Sequence, residues 1–524
     1  MSAALLQAAQ AALARRDFAA ARLVAEKVLR DRPSDAGANQ VLGIVALEQN
    51  DVATALAHLR RADKAAPGQP HILNALGIAL RRSGDASGAR RAFTRAGERG
   101  LPDAWRNLAI VEANAGDSAA TIRACEKALA LNANDAIAHA GLAEALEKVH
   151  QLERAREHAN RALALDRGNE VAALTLAAIA LREKDFTAAE SFASHVARSS
   201  RSITNQALAW GVIGEARDRT NDFSEAFTAF AAANRLLLSI HGAHLGEAHL
   251  PYHPQGVERM RAFVEVAEFS AWPSSDELAP VFLVGFPRSG TTLLEQVLSA
   301  HSGLVCIEER EHLALAAGEV ASDPNKLSAL SDADIEAIRV EYWRRVNMET
   351  KVGKRIVVDK LPLNIIFLPL IRRVFPSAKV LFALRDPRDV VLSCFQQRFG
   401  MNAAMVQFLD LNSAAAYYDK VMSLGLLCRE RLGLSMLEVR YEDVVADLER
   451  VARSVTTFLG LAFEEAMLSP AETALKRKIN TPSARQVVQP IYTRSVARWK
   501  NYARELAPAL PGLSDWAERL GYAR

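Results

Sequence analysis

Along the first half of the chain, small and large apolar residues return on a fixed period. A turn marker recurs at Asp17, Asp51, Asp85, Asp117, Gln151, Asp185 and Asp222, at spacings of 34, 34, 32, 34, 34 and 37 residues. Four positions after each marker stands a small residue (Ala21, Ala55, Ala89, Thr121, Ala155, Ala189, Ala226). Eight positions before it stands another (Ala9, Gly43, Gly77, Ala109, Ala143, Ala177, Gly214). The position just ahead of that is mostly larger, as in Leu42, Leu76, Leu108, Leu142, Leu176 and Ile213. Two helices of one unit approach closely only where side chains are small, and a larger neighbour fills the groove beside them. One such pair cannot bury its apolar face alone, so pairs stack. The pattern predicts an all-α array of about seven helical pairs over residues 1–240.

Near Ile240 the period breaks. Pro251 and Pro254 punctuate a junction, a helix-like segment follows at roughly 257–269, and Trp272-Pro273-Ser274-Ser275 reads as linker, so 241–277 is taken as a linker and helical junction. Phe223, Phe227 and Phe230, on the last repeat, read as repeat core, with docking onto the sheet domain as the alternative. From residue 278 to 524 the pattern changes again. Apolar runs at 281–285, 355–359, 379–384 and 436–440 alternate with helical periodicity, which predicts an α/β domain with a parallel sheet covered on both faces. Ligands bind such sheets at the carboxyl ends of the strands.

Charge and cysteine usage narrow the function classes. A net charge of +3 gives no electrostatic case for a nucleic-acid partner. Cys125, Cys306, Cys394 and Cys428 are scattered without a CxxC pair, so neither a zinc site nor a disulfide framework is expected, and a reducing, cytoplasmic setting fits. No signal peptide and no membrane span are expected from the apolar patterning.

The candidate chemistry sits at three strand ends. The first apolar run leads into Gly285-Phe286-Pro287-Arg288-Ser289-Gly290-Thr291-Thr292, and an amphipathic helix follows. The glycine spacing is that of a phosphate-cradling loop. The lysine of a nucleotide-hydrolysing loop is replaced by Thr291, and the positive charge is Arg288. The loop is therefore built for an anion other than Mg-NTP. After Leu384 comes Arg385-Asp386-Pro387-Arg388-Asp389, with Ser393 about two helical turns further on a similar face. A guanidinium at a strand end forks onto phosphate. Alone this segment would be a salt-bridged helix cap; paired with the first loop it is a second anion site. The third cluster, Asp359-Lys360-Leu361-Pro362, offers a lysine for a leaving-group oxygen, with a solvated lysine as the plain alternative.

The repeat columns resemble the tetratricopeptide family, which implies a solenoid whose concave face takes a peptide or protein. A spacer or oligomerisation element is the competing role, and a homodimer is among the candidate partners. Pro-Arg-Ser-Gly-Thr-Thr after a strand, with Leu-Arg-Asp-Pro-Arg-Asp downstream, resembles the sulfotransferase superfamily over roughly 280–500, whose donor is 3′-phosphoadenosine 5′-phosphosulfate (PAPS). The line from Arg288 through Ala300-His301 to Cys306-Ile307-Glu308-Glu309-Arg310 is similar to the protein-tyrosine sulfotransferases.

That resemblance implies Glu309 as general base, Lys360 at the leaving group, Ser483 in the S-x-x-Q-V segment and Arg288 in the loop as the catalytic set. It implies Arg288, Ser289, Gly290, Thr291, Thr292, Arg385, Ser393 and Tyr441 around PAPS, and no metal. Arg310 is the substrate-side candidate, although the family's arginine stands one place further on, where this chain has Glu311; Gln489 replaces a family lysine. The expected reaction is in-line sulfuryl transfer to a hydroxyl, most simply a tyrosine of a protein or peptide recruited by the array. A phenol with a pKa of about 10 needs a base at neutral pH. His312 is the rival base, and His301 reads as structural. A P-loop kinase or NTPase, or a non-catalytic nucleotide-binding scaffold, are the other readings.

Overall fold

The computed structural model describes residues 2–270, 272, 278–470 and 494–523, divided into two compact units at Ala216/Arg217. The first unit is all helical. Consecutive helices pair, Ser2–Ala14 with Phe18–Asp31, Ala36–Glu48 with Val52–Ala65, Pro70–Arg82 with Ala86–Gly97, and so on at the sequence period. The turn markers are N-caps: the carboxylates of Asp17, Asp51, Asp85, Asp117 and Asp185 each accept a hydrogen bond from a backbone N–H three residues on. The residue just ahead of every marker is left-handed, namely Arg16, Asn50, Gly84, Gly116, His150, Lys184 and Asn221. The small columns are where helices touch. A Cβ on Gly43 would lie 2.5 Å from the Leu59 side chain, and one on Gly77 2.5 Å from the Phe93 ring.

The second unit is built on a parallel five-stranded sheet, β1 Val281–Gly285, β2 Leu304–Glu308, β3 Ile356–Lys360, β4 Lys379–Leu384 and β5 Ser435–Arg440, in the order β2-β3-β1-β4-β5. Side chains alternate between two apolar layers. Phe282 and Val284 enter one core with Phe382 and Tyr417, while Val281 and Leu283 enter another with Val297, Leu381 and Val455. The central strand β1 has β3 on one side and β4 on the other. The crossover changes direction there, so the crevice at the carboxyl end of β1 is the natural ligand position.

Two sequence expectations change. Leu304–Glu308 is a strand, which the reading in four apolar runs omits; it sits at the sheet edge beside β3. Phe223, Phe227 and Phe230 are not repeat core. Their helix, Phe223–His241, belongs to the second unit, where Phe227 stacks on Phe395 at 4.9 Å, Phe223 meets Tyr502 edge-on at 5.3 Å and Phe230 joins the sheet core. The stretch read as junction holds a helix, Pro254–Val266, whose Val257, Met260 and Val264 are buried in that same core.

Candidate functional site

All five strands deliver polar groups to one edge. β1 runs into the loop 286–290, and the helix Thr291–Ser299 begins at its end. Gly285 and Gly290 are required by space. A Cβ on Gly285 would press on the Ala383 carbonyl at 2.6 Å, and one on Gly290 would strike the Tyr441 ring at 2.7 Å, with φ at +93° besides. Ser289, Thr291 and Thr292 are buried against this turn, and Ser289 N–H closes it onto the Phe286 carbonyl at 3.1 Å.

Arg288 projects from the loop with φ at +71°, and its Nε donates to Ser393 Oγ at 3.0 Å. Arg385, at the end of β4, donates from its two terminal nitrogens to the Arg288 carbonyl at 3.0 Å and the Ser495 carbonyl at 2.6 Å, and its guanidinium lies 4.7 Å from the Tyr441 ring centre. Arg288, Arg385, Ser393 and Tyr441, taken from four separate places in the sequence, thus meet around one loop. The remaining donor, Arg385 Nε, is buried without a hydrogen-bond partner among the described residues. A buried, orphaned guanidinium N–H beside a glycine-shaped loop fits a phosphate-bearing ligand. Next to it, Asp386 caps the following helix and receives Arg388 in a fork of 2.9 and 2.7 Å, so this pair is structural. Asp389 accepts from Trp499 N–H at 2.8 Å, and burial pushes its carboxyl up to about 6 against the pull of Arg385.

The second group lies at the ends of β2 and β3. Glu309 is left-handed, φ +47°, and its N–H continues the ladder by donating to the Lys360 carbonyl at 2.7 Å. Its carboxylate accepts from Lys360 Nζ at 2.8 Å. Lys360 is fully buried and touches a second carboxylate, Glu295, at 3.1 Å. Burial alone would lower the ammonium's pKa; Glu295 and Glu309 outweigh it and hold it above the ordinary lysine value. Arg310 is exposed and pairs with Glu349 at 3.0 Å. His312 is buried, its Nε2 3.4 Å from the other oxygen of Glu349, and burial pushes its pKa down. His301 is structural, with Nε2 on the Ala462 carbonyl at 2.8 Å and Nδ1 accepting from Gly303 N–H at 2.9 Å.

Ser483 and Gln489 lie outside the described residues. Glu295 was missed from sequence. Its signal was an acidic residue on the apolar face of the loop helix, among Leu294, Val297 and Leu298. Beside it, the Asp359 carboxyl points away from Lys360; it accepts from Tyr342 OH at 2.9 Å and Asn364 at 3.3 Å, and burial pushes it up to about 7.

An uncharacterised protein of Aquifex aeolicus is 27% identical over 60% of this chain, which spans 42% of that relative's length. A putative protein-tyrosine sulfotransferase of Caenorhabditis briggsae is 24% identical over 46% of the chain and 88% of its own length. Protein-tyrosine sulfotransferase 2 of Gallus gallus is 26% identical over 47% of the chain and 70% of its own length. The tetratricopeptide repeat model matches residues 6–70 and 74–136, and the sulfotransferase family model matches 280–465. The chain therefore carries tetratricopeptide repeats followed by a domain of the sulfotransferase family.

Proposed function

We propose that this chain transfers a sulfuryl group from PAPS to a hydroxyl, with a tyrosine of a protein or peptide as acceptor and the repeat array recruiting it in a cytoplasmic setting. The observation that carries the proposal is the pairing of two sites on one sheet edge: a guanidinium-lined glycine loop, and a carboxylate held on a buried lysine. The names of the relatives support the acceptor class.

PAPS supplies an activated sulfuryl group on a phosphosulfate anhydride. Arg288, the 289–292 loop, Arg385, Ser393 and Tyr441 would hold it, the orphaned Arg385 Nε meeting a phosphate oxygen. Glu309 takes the proton of the attacking hydroxyl. Lys360 and Arg288 offset the charge that gathers on the transferred group and the leaving oxygen, and Ser483 completes this set. Glu309 fits the base better than His312, because its carboxylate sits on Lys360 whereas the His312 ring is buried against Glu349.

The test is titration with 3′-phosphoadenosine 5′-phosphate without metal, then transfer of labelled sulfate from PAPS to a tyrosine peptide. Micromolar binding that Arg385→Ala abolishes, with turnover lost in Glu309→Ala and retained in His312→Ala, is the expected result. Preference for Mg-ATP would return the chain to the kinase or NTPase reading. Tight bisphosphate binding without transfer to any acceptor would make it a scaffold.

A further inference from the structure

Lys360 carries one carboxylate too many for a simple ion pair. Its ammonium lies 2.8 Å from Glu309 and 3.1 Å from Glu295, and Glu308 at the end of β2 adds a third, more distant negative charge. Glu295 is 1% exposed and Lys360 is fully buried. Burying a second carboxylate is costly, and Glu309 alone would already balance the lysine. A second carboxylate on the same ammonium has an explanation in the reaction. Once Glu309 accepts a proton it becomes neutral, and Lys360 would be left as a buried, unbalanced cation free to turn or to lose its own proton.

We infer that Glu295 is a positioning residue that keeps Lys360 charged and aimed while Glu309 cycles between its ionised and protonated forms. Glu295, at 1% exposure, is closed off from the open edge of the site. It stands on the loop helix seven residues after Arg288, so it also ties the lysine to the element that begins at the anion loop. The proton given up by the acceptor hydroxyl goes to Glu309, and Lys360 keeps its own three protons throughout, with one N–H on Glu295. This inference rests on the sulfotransferase reading of the site.

The test is the pH dependence of sulfuryl transfer in the wild-type chain, Glu295→Gln and Glu295→Asp, with thermal unfolding to check that each variant folds. Removing the Glu295 charge weakens the hold on the Lys360 proton. The alkaline limb of the pH–rate profile in Glu295→Gln then moves to lower pH, by about one unit. Turnover at neutral pH falls by about 10- to 100-fold as the lysine loses its aim. Glu295→Asp keeps the charge and shortens the reach, so its limbs stay in place while turnover falls.

A Glu295→Gln profile that drops without shifting would assign Glu295 to packing alone and overturn the inference. If Glu295→Gln does not fold, Glu295→Asp decides: turnover that falls while 3′-phosphoadenosine 5′-phosphate affinity is unchanged supports the inference, and full turnover, or a parallel loss of that affinity, overturns it. A folded wild type that transfers no sulfate from PAPS would overturn the functional reading itself, and the inference with it.

Discussion

Left-handed backbone at a non-glycine residue costs of order 1–2 kcal/mol. Beyond the repeat turns, the described residues of the second unit show it at Arg288, Glu309 and Ala497. Two of these are the residues on which the proposed chemistry turns, so strain is concentrated where side chains must leave the sheet edge at a fixed angle. Arg288→Gly is therefore expected to keep the melting temperature close to wild type, because glycine relieves the φ of +71°, while sulfuryl transfer is lost. Arg288→Ala loses the same activity and melts lower, since alanine keeps the strain; differential scanning calorimetry of the two variants separates these effects.

A second residue-scale prediction concerns Asp359. Its folded pKa of about 7 lies above the unfolded value of 3.8. Between those values the unfolded chain releases a proton that the folded chain retains, so stability falls as pH rises from about 4 to about 7. Asp359→Asn flattens that slope in urea unfolding measured across the range. The sequence marked Lys360 and Arg385 because strand ends announce themselves. It did not mark Glu295, whose meaning depends on a lysine 65 positions away.

At the scale of elements, the repeats were legible because their physics is local. A cap, a left-handed residue and a small-residue contact all recur within one period, so several columns agree at once. The test of the packing column is Gly77→Ala. Its methyl would sit 2.5 Å from the Phe93 ring, and the overpacking cost of about 1–3 kcal/mol exceeds the helix-propensity gain of about 1 kcal/mol. The thermal transition of the array falls, and Gly77→Ala/Phe93→Leu recovers part of the loss. The test of the turn column is Lys184→Gly. The left-handed lysine at φ +64° is replaced by a residue that adopts this conformation freely, and the transition rises by a few degrees. β2 was not legible for the converse reason. Leu-Val-Cys-Ile-Glu is no shorter than β1 or β3, but it runs straight into the charged stretch Glu308-Glu309-Arg310-Glu311, and its pairing partner, β3, lies 52 residues further on. The edge strand nonetheless sets the site, because its register places Glu308 opposite Lys360 and so brings Glu309 onto it.

At the scale of the whole chain, the period of the repeats runs one helix further than the compact unit they form. Asp222 carries the last turn marker, yet the helix it begins counts with the sheet unit. Its partners were invisible to any local pattern. Asn234 donates to the Phe395 carbonyl 161 residues on, and Tyr502 OH donates to Asp218 across 284 residues, where Arg498 also meets the same carboxylate. Phe395 lies two residues from Ser393 on the helix Pro387–Gln396, and Arg498 follows Ser495, whose carbonyl holds Arg385. The segment between Asp218 and His241 therefore supports the donor side of the site from behind. A fragment of residues 203–524 is expected to fold cooperatively and to bind 3′-phosphoadenosine 5′-phosphate within about threefold of the full chain, well under the tenfold that 1.4 kcal/mol would represent. A fragment of residues 242–524 strips Phe227 and Phe230 from the core, at roughly 1.5–3 kcal/mol for each ring, and leaves Arg498 without its carboxylate. That fragment should lose its cooperative transition and its bisphosphate binding together. Calorimetry on both fragments decides the matter: equal binding by the two would mean that the donor site is complete without the helix Phe223–His241.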